Sequence, residues 1–206
     1  MKSSYRTILK TISLEHLEEI DKGYGKLIYK VLDKTISNFL ISESKTPFEI
    51  IKLEEKLIRV LKKDNLSIKL KGAVDRIDMV KINDNNVIRI IDYKTGKSTD
   101  FKQIKEIDSD IGKIPFQLLH YAYCYNSDKD FKSSAFFVMD RSKIQRDLSI
   151  NKETIITQDI KNDVFSKFEN LLMEIFNEIF DIETPFSQTE DEKNCNTCLY
   201  SDICGI

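Results

Sequence analysis

Residues 66–94 read LSIKLKGAVDRIDMVKINDNNVIRIIDYK, and this stretch decides the fold. Leu66, Ile68, Leu70 and Val74 alternate with Ser67, Lys69, Lys71 and Ala73, the two-residue period of a strand with one covered face. Asn83-Asp84-Asn85-Asn86 is turn chemistry. The β-branched run from Val87 to Lys94 then predicts a central strand paired with the segment around Met79 to Ile82. Within it Ile88, Ile90, Asp92 and Lys94 share one face, which passes from core to a carboxylate and an amine at the strand end.

Upstream, Lys63-Asp64-Asn65 is a plausible hairpin turn. Before it two patterns compete. Thr46-Pro47-Phe48-Glu49 has the form of a helix capping box, yet Ile51, Leu53, Leu57 and Leu61 alternate as in a strand, and the strand is preferred. From Tyr24 to Ile41 apolar residues recur at three- and four-residue steps, predicting an amphipathic helix that Gly23 and Gly25 separate from a short preceding one. After Lys94 come an irregular stretch, a helix from Pro115 to about Tyr125, a buried strand from Ala135 to Met139 and a helix from Ile160 to Phe180. This order predicts an α/β fold, a mixed sheet flanked by helices. No repeat or Pro/Gly-rich tether divides the chain, so residues 1–206 are expected to form a single domain ending in a cysteine-bearing tail, 184–206.

The 206 residues are 41% hydrophobic and 32% charged, enough for one sizeable core. No run approaches the ~20 apolar residues of a spanning helix, and MKSSYRTILKTIS lacks a signal-peptide core, so the expected location is the cytoplasm, without a membrane partner. The net charge of -2 conceals an asymmetry: residues 1–105 hold 22 basic and 15 acidic side chains, residues 106–206 hold 10 and 19. Either a polyanion meets the first half or both halves are ordinary solvated surface.

The chemistry-bearing residues lie in Gly72 to Asp78 and in Asp92-Tyr93-Lys94-Thr95-Gly96-Lys97. An Asp-x-Lys pair alone is common surface, worth roughly 0–1 kcal/mol. Two carboxylates on adjacent strands, however, repel unless a cation sits between them, and hard oxygen ligands favour Mg²⁺ or Mn²⁺ over zinc. A lysine beside them can orient a metal-bound water or stabilise charge on a phosphoryl oxygen.

Taken together, Gly72-x-x-Asp75-Arg76-x-Asp78, a short hairpin, Asp92-Tyr93-Lys94-Thr95-Gly96, and Gln117 with Tyr121 on one helical face resemble the RecB-type branch of the PD-(D/E)XK nuclease superfamily. The resemblance implies a restriction-endonuclease-like fold, metal-dependent hydrolysis of DNA phosphodiester bonds, and roles for each residue. Asp75, Asp92 and the Tyr93 carbonyl would hold the metal. Lys94 would position the attacking water, Gln117 and Tyr121 would hold the scissile region or the lysine, and Glu55, with Glu54 nearly as eligible, would be the upstream acid. Arg76 and Asp78 would brace the hairpin. The branch usually carries Gly-x-x-x-His on its first helix, whereas here Gly25 is followed by Tyr29 at the histidine's place. A tyrosine is a poor Mg²⁺ ligand at neutral pH, which makes an inactive DNA-binding relative conceivable. His16 is expected at the surface and His120 in helix packing.

Cys195-x-x-Cys198 followed by Cys204 is metal-ligand spacing. It looks like the C-terminal staple of AddB-like and CRISPR-associated RecB-type nucleases, which implies a [4Fe-4S] cluster, with zinc as a substitute. The fourth cysteine of those relatives, upstream of the first nuclease helix, is missing here. Three explanations compete: the sequence is a fragment of a larger helicase-nuclease, it has lost the cluster, or Cys124 serves as a ligand, although a small buried hydrophobe is the more natural role for Cys124; the fragment is preferred. Three functions follow: an exonuclease of DNA end processing working with helicase domains, a catalytically weak DNA-binding scaffold, or a nuclease of CRISPR spacer acquisition.

Overall fold

The computed structural model describes every residue except 1, 18, 64–65, 97–100, 102, 109–110, 139–143, 186–188, 190–194, 197 and 205–206. Asp64 and Asn65 of the expected turn, Lys97, and the expected strand end at Met139 lie outside the described residues. The chain divides into two compact units, Met1–Phe168 and Glu169–Ile206.

Two helices, α1 (Lys2–His16) and α2 (Gly23–Glu43), precede three consecutive strands, β1 (Phe48–Lys63), β2 (Leu66–Ile82) and β3 (Asn85–Lys94). Helix α3 (Lys113–Tyr125), strands β4 (Phe131–Phe137) and β5 (Gln145–Asp147), helix α4 (Gln158–Phe180) and a single helical turn α5 (Ser201–Cys204) follow. Among the described residues the sheet has five strands in the order β1-β2-β3-β4-β5. All neighbours are antiparallel except β3 and β4, which run parallel. Parallel neighbours need a crossover, and α3 supplies it. The sheet is therefore mixed and flanked by helices, as the element order predicts.

The hairpin between β2 and β3 turns on Asn83 (φ 47°) and Asp84 (φ 65°), the left-handed pair of a two-residue turn that suits Asn and Asp. Phe131 and Phe136, five residues apart in β4, face opposite ways. Phe136 packs edge-on against Phe39 of α2 at 5.6 Å, while Phe131 stacks on Phe165 of α4 at 5.6 Å. Helical cover on both sides explains why Val87 to Asp92 are buried without alternation.

Several boundaries differ from the sequence reading. Helix α1 is four turns long rather than short, and β4 starts at Phe131, where it pairs with Ile88. The competing helix signal at Thr46-Pro47 loses to strand pairing, with Phe48 opposite Val80. Of the four alternating residues in β1, Leu57 and Leu61 are buried but Ile51 and Leu53 are exposed; the register shifts between Ile50 and Lys52, and Glu54, between Leu53 and Leu57, has a left-handed φ of 49°. Helix α3 begins at Lys113, two residues before Pro115, and ends on Asn126 in the left-handed conformation.

One polar cluster is built into this framework. Arg89 forks onto Asp78 at 2.7 and 2.8 Å, Arg76 reaches Asp78 at 2.9 Å, and both arginines meet Glu43 at the end of α2. Two cations and two anions cancel, with the Phe48 ring against both guanidinium groups. Burial opposes the Arg89 charge, yet Asp78 and Glu43 outweigh it and hold the guanidinium above its ordinary value. Arg76 and Asp78 thus bind α2 to the hairpin.

Candidate active site

The β2–β3 ladder ends at Arg76 opposite Ile91. Beyond that point the backbone N–H of Tyr93 donates to Asp75 Oδ2 at 2.5 Å, so a side chain takes the place of the next ladder bond. This fixes Asp75 beside the strand that carries Asp92. Asp92 is only 4% exposed, and burial, reinforced by the charge on Asp75, raises its pKa despite the opposing pull of Lys94.

Lys94 Nζ lies 2.6 Å from Asp92 Oδ2 and donates to Gln117 Oε1 at 2.8 Å. Because the Gln117 oxygen is taken, its Nε2 points the other way and donates to the Tyr121 hydroxyl at 2.7 Å. Burial, together with Asp92 and Asp75, keeps the Tyr121 phenol above its usual pKa and so protonated. The i, i+4 spacing of Gln117 and Tyr121 aligns both on the face of α3 that meets the sheet. That approach requires Gly72: a Cβ there would stand 2.9 Å from Tyr121 Cε1.

Five expected site residues, Asp75, Asp92, Lys94, Gln117 and Tyr121, are therefore linked by contacts or by charge. Tyr93 contributes its N–H to Asp75, while its ring packs against Phe39 at 5.7 Å. Glu55 is half-buried with its carboxylate 3.6 Å from Lys52, and Glu54 is exposed with a φ of 49°. Among the described residues no third acid, histidine or cysteine joins the two aspartates in a metal-sized group. Tyr29 is half-buried on α2, and no hydrogen bond among the described residues ties it to either aspartate. His16 is exposed. His120 Nε2 lies 3.1 Å from the Lys71 carbonyl, which can only accept, so this nitrogen carries the proton.

The pair fits a divalent cation. Asp92 Oδ2 is buried and, although close to Lys94, makes no aligned hydrogen bond, so one hard oxygen is left for another positive group. Mg²⁺ commonly uses one or two carboxylates and completes its shell with waters and substrate phosphates, which is what two aspartates allow.

The cysteine tail shows less. Cys198 N–H donates to the Cys195 carbonyl at 3.1 Å, and Tyr200 N–H donates to Cys198 Sγ at 3.4 Å. Among the described residues the three tail thiols do not come together in a metal-sized group. Cys124 is buried on α3, where desolvation raises its thiol to about 11, the opposite of what ligation requires. Sequence reasoning missed Glu43 and Arg89. A Glu/Arg-rich ion cluster leaves no local pattern when its members lie 33 residues apart.

A mixed sheet with two aspartates and a lysine converging at strand ends defines the class of restriction-endonuclease-like α/β proteins. A model of the PD-(D/E)XK nuclease superfamily matches residues 4–205, and the chain belongs to that superfamily. A solved structure titled "Crystal structure of SSO0001" is similar to it at 14% identity, over 98% of this chain and 79% of that one, with a TM-score of 0.36. Members of the superfamily are metal-dependent nucleases. Among the described residues no helix is long and apolar enough to cross a membrane.

Proposed function

We propose that this chain is a Mg²⁺- or Mn²⁺-dependent deoxyribonuclease that hydrolyses DNA phosphodiester bonds, with Asp75, Asp92 and the Tyr93 carbonyl as metal ligands. The observation that carries the reading is the contact chain Asp92–Lys94–Gln117–Tyr121 beside Asp75. A divalent ion, when bound, supplies Lewis-acid stabilisation of the developing phosphoryl charge and a more acidic water. Lys94, its charge balanced by Asp92 and one N–H given to Gln117, keeps a donor for an attacking water or a phosphoryl oxygen. Tyr121 accepts from Gln117, which leaves its own proton for a phosphate oxygen.

The finer reading is a RecB-type exonuclease of DNA end processing, with helicase domains as partners. It rests on the order of the motifs and on Cys195, Cys198 and Cys204, and no catalytic step depends on a cluster. A spacer-acquisition nuclease would share the same chemistry. Tyr29 favours the second reading, a catalytically weak DNA-binding domain.

The test is incubation of the protein with labelled linear single- and double-stranded DNA and Mg²⁺ or Mn²⁺, beside Asp92→Ala and Lys94→Ala. Cleavage should fall by about a hundredfold or more in both variants, with the circular dichroism spectrum retained. Turnover equal to wild type in either variant refutes the site, and DNA binding without cleavage by wild type establishes the second reading.

A further inference from the structure

The β1–β2 ribbon extends past the end of the β2–β3 ladder, so residues 53–63 and 66–76 pair chiefly with each other. Its inner face is covered: Leu57, Leu61, Leu70 and Val74 are buried, and Arg59 lies 3.7 Å over the Tyr123 ring of α3 while donating to the Tyr123 carbonyl at 2.6 Å. The outer face is open and positive. Lys62, Lys69, Lys71 and Lys56 occupy four successive outward rungs, one lysine per rung, each opposite an uncharged residue. All four are exposed, and among the described residues none has an ion-pair partner. Ile58 and Val60, opposite Lys71 and Lys69, are exposed between them.

Edge strands often carry lysines to block pairing with other chains, and Lys56 and Lys62 on the edge strand β1 would serve that purpose. Lys69 and Lys71 lie on the part of β2 that β3 does not reach, so they too stand on an open edge; what edge protection does not require is that all four lysines fall on one face, one per successive rung. Outward rungs recur every ~7 Å along the ribbon, whereas each strand of a DNA duplex presents a phosphate every ~3.4 Å of axis, so every rung can meet one. Lys71 stands four residues before Asp75 in the same strand, about 14 Å of chain.

We infer that this lysine ladder is a track for the DNA backbone, holding the phosphates that flank the bond presented to Asp75, Asp92 and Lys94. The inference rests on the nuclease reading for the identity of its ligand. It also gives the positive first half of the chain a location. The inner face of the ribbon packs on α3 through Arg59 and Tyr123, which sets the four lysines on the opposite, open face.

The experiment is fluorescence anisotropy with labelled single- and double-stranded DNA in EDTA, which prevents cleavage, titrated between about 50 and 200 mM salt. Lys69→Gln/Lys71→Gln should weaken binding about tenfold or more at low salt and reduce the log–log salt slope by roughly 2. The four-lysine variant should reduce it by roughly 3 to 4. Lys69→Arg/Lys71→Arg should restore the slope, and Lys30→Gln/Lys34→Gln on α2 should leave it unchanged. A slope and affinity equal to wild type in the four-lysine variant, as expected if the face served an acidic protein segment, overturns the ladder, even where wild type still cleaves DNA. Ladder-dependent binding by a wild type that cuts nothing supports the ladder and refutes the nuclease reading.

Discussion

Cys124 shows how one residue's surroundings set its chemistry. Its Sγ lies 3.6 Å from His120 Nε2, which already donates to a carbonyl, and desolvation raises the thiol from an ordinary 9.0 to about 11. A raised pKa keeps the proton on, so at pH 8 the thiolate population falls by about a hundredfold. We expect Cys124 in the native protein to alkylate with iodoacetamide at least that much more slowly than a free cysteine in water, followed residue by residue by mass spectrometry. Fast labelling would place the thiol in a wetter or more positive setting than this one. The same proton makes the native state less stable as pH rises through the window from 9 to 11, since the unfolded chain releases it first. Asp92 illustrates what alternation can reveal: residues 88, 90, 92 and 94 must share a face, so the approach of a carboxylate and an amine is legible from spacing alone. The bond from Tyr93 N–H to Asp75 is not legible, because it depends on where the ladder stops.

At the scale of elements, α2 is held to the hairpin by the Glu43, Arg76, Asp78 and Arg89 cluster, which is buried and nearly neutral. Asp78→Ala removes the acceptor of three N–H contacts and leaves two buried guanidinium groups with Glu43 as their shared carboxylate. Such a change should cost about 3–5 kcal/mol, measured as the loss of unfolding free energy in urea. A cost below about 1 kcal/mol would mean that water reaches the arginines and replaces the carboxylate. The β2–β3 hairpin, α2 and α4 were readable because each carries its own period and turn residues. Strand β5, three half-buried residues paired to Ser134 through Phe136, has no period to read and exists only because β4 offers an open edge. Glu55 is ambiguous for a related reason: the left-handed φ of Glu54 beside it disturbs the alternation that would assign its side.

For the molecule as a whole, a site built from two mutually repelling carboxylates is a cost that a bound cation removes. Without metal, burial and the charge of Asp75 both disfavour ionised Asp92, and Lys94 only partly offsets them. With metal, binding to the folded state alone stabilises it by mass action, about 2.7 kcal/mol at a hundred times Kd. These opposite signs predict a crossover between wild type and Asp92→Asn in thermal unfolding. In chelator the variant should melt at or above the wild-type temperature, because a neutral amide escapes the charge penalty. As Mg²⁺ or Mn²⁺ is added, the wild-type Tm should climb with concentration while that of the variant stays nearly flat. An equal climb in both would place the stabilising cation away from Asp92 and remove the two-aspartate centre as its holder.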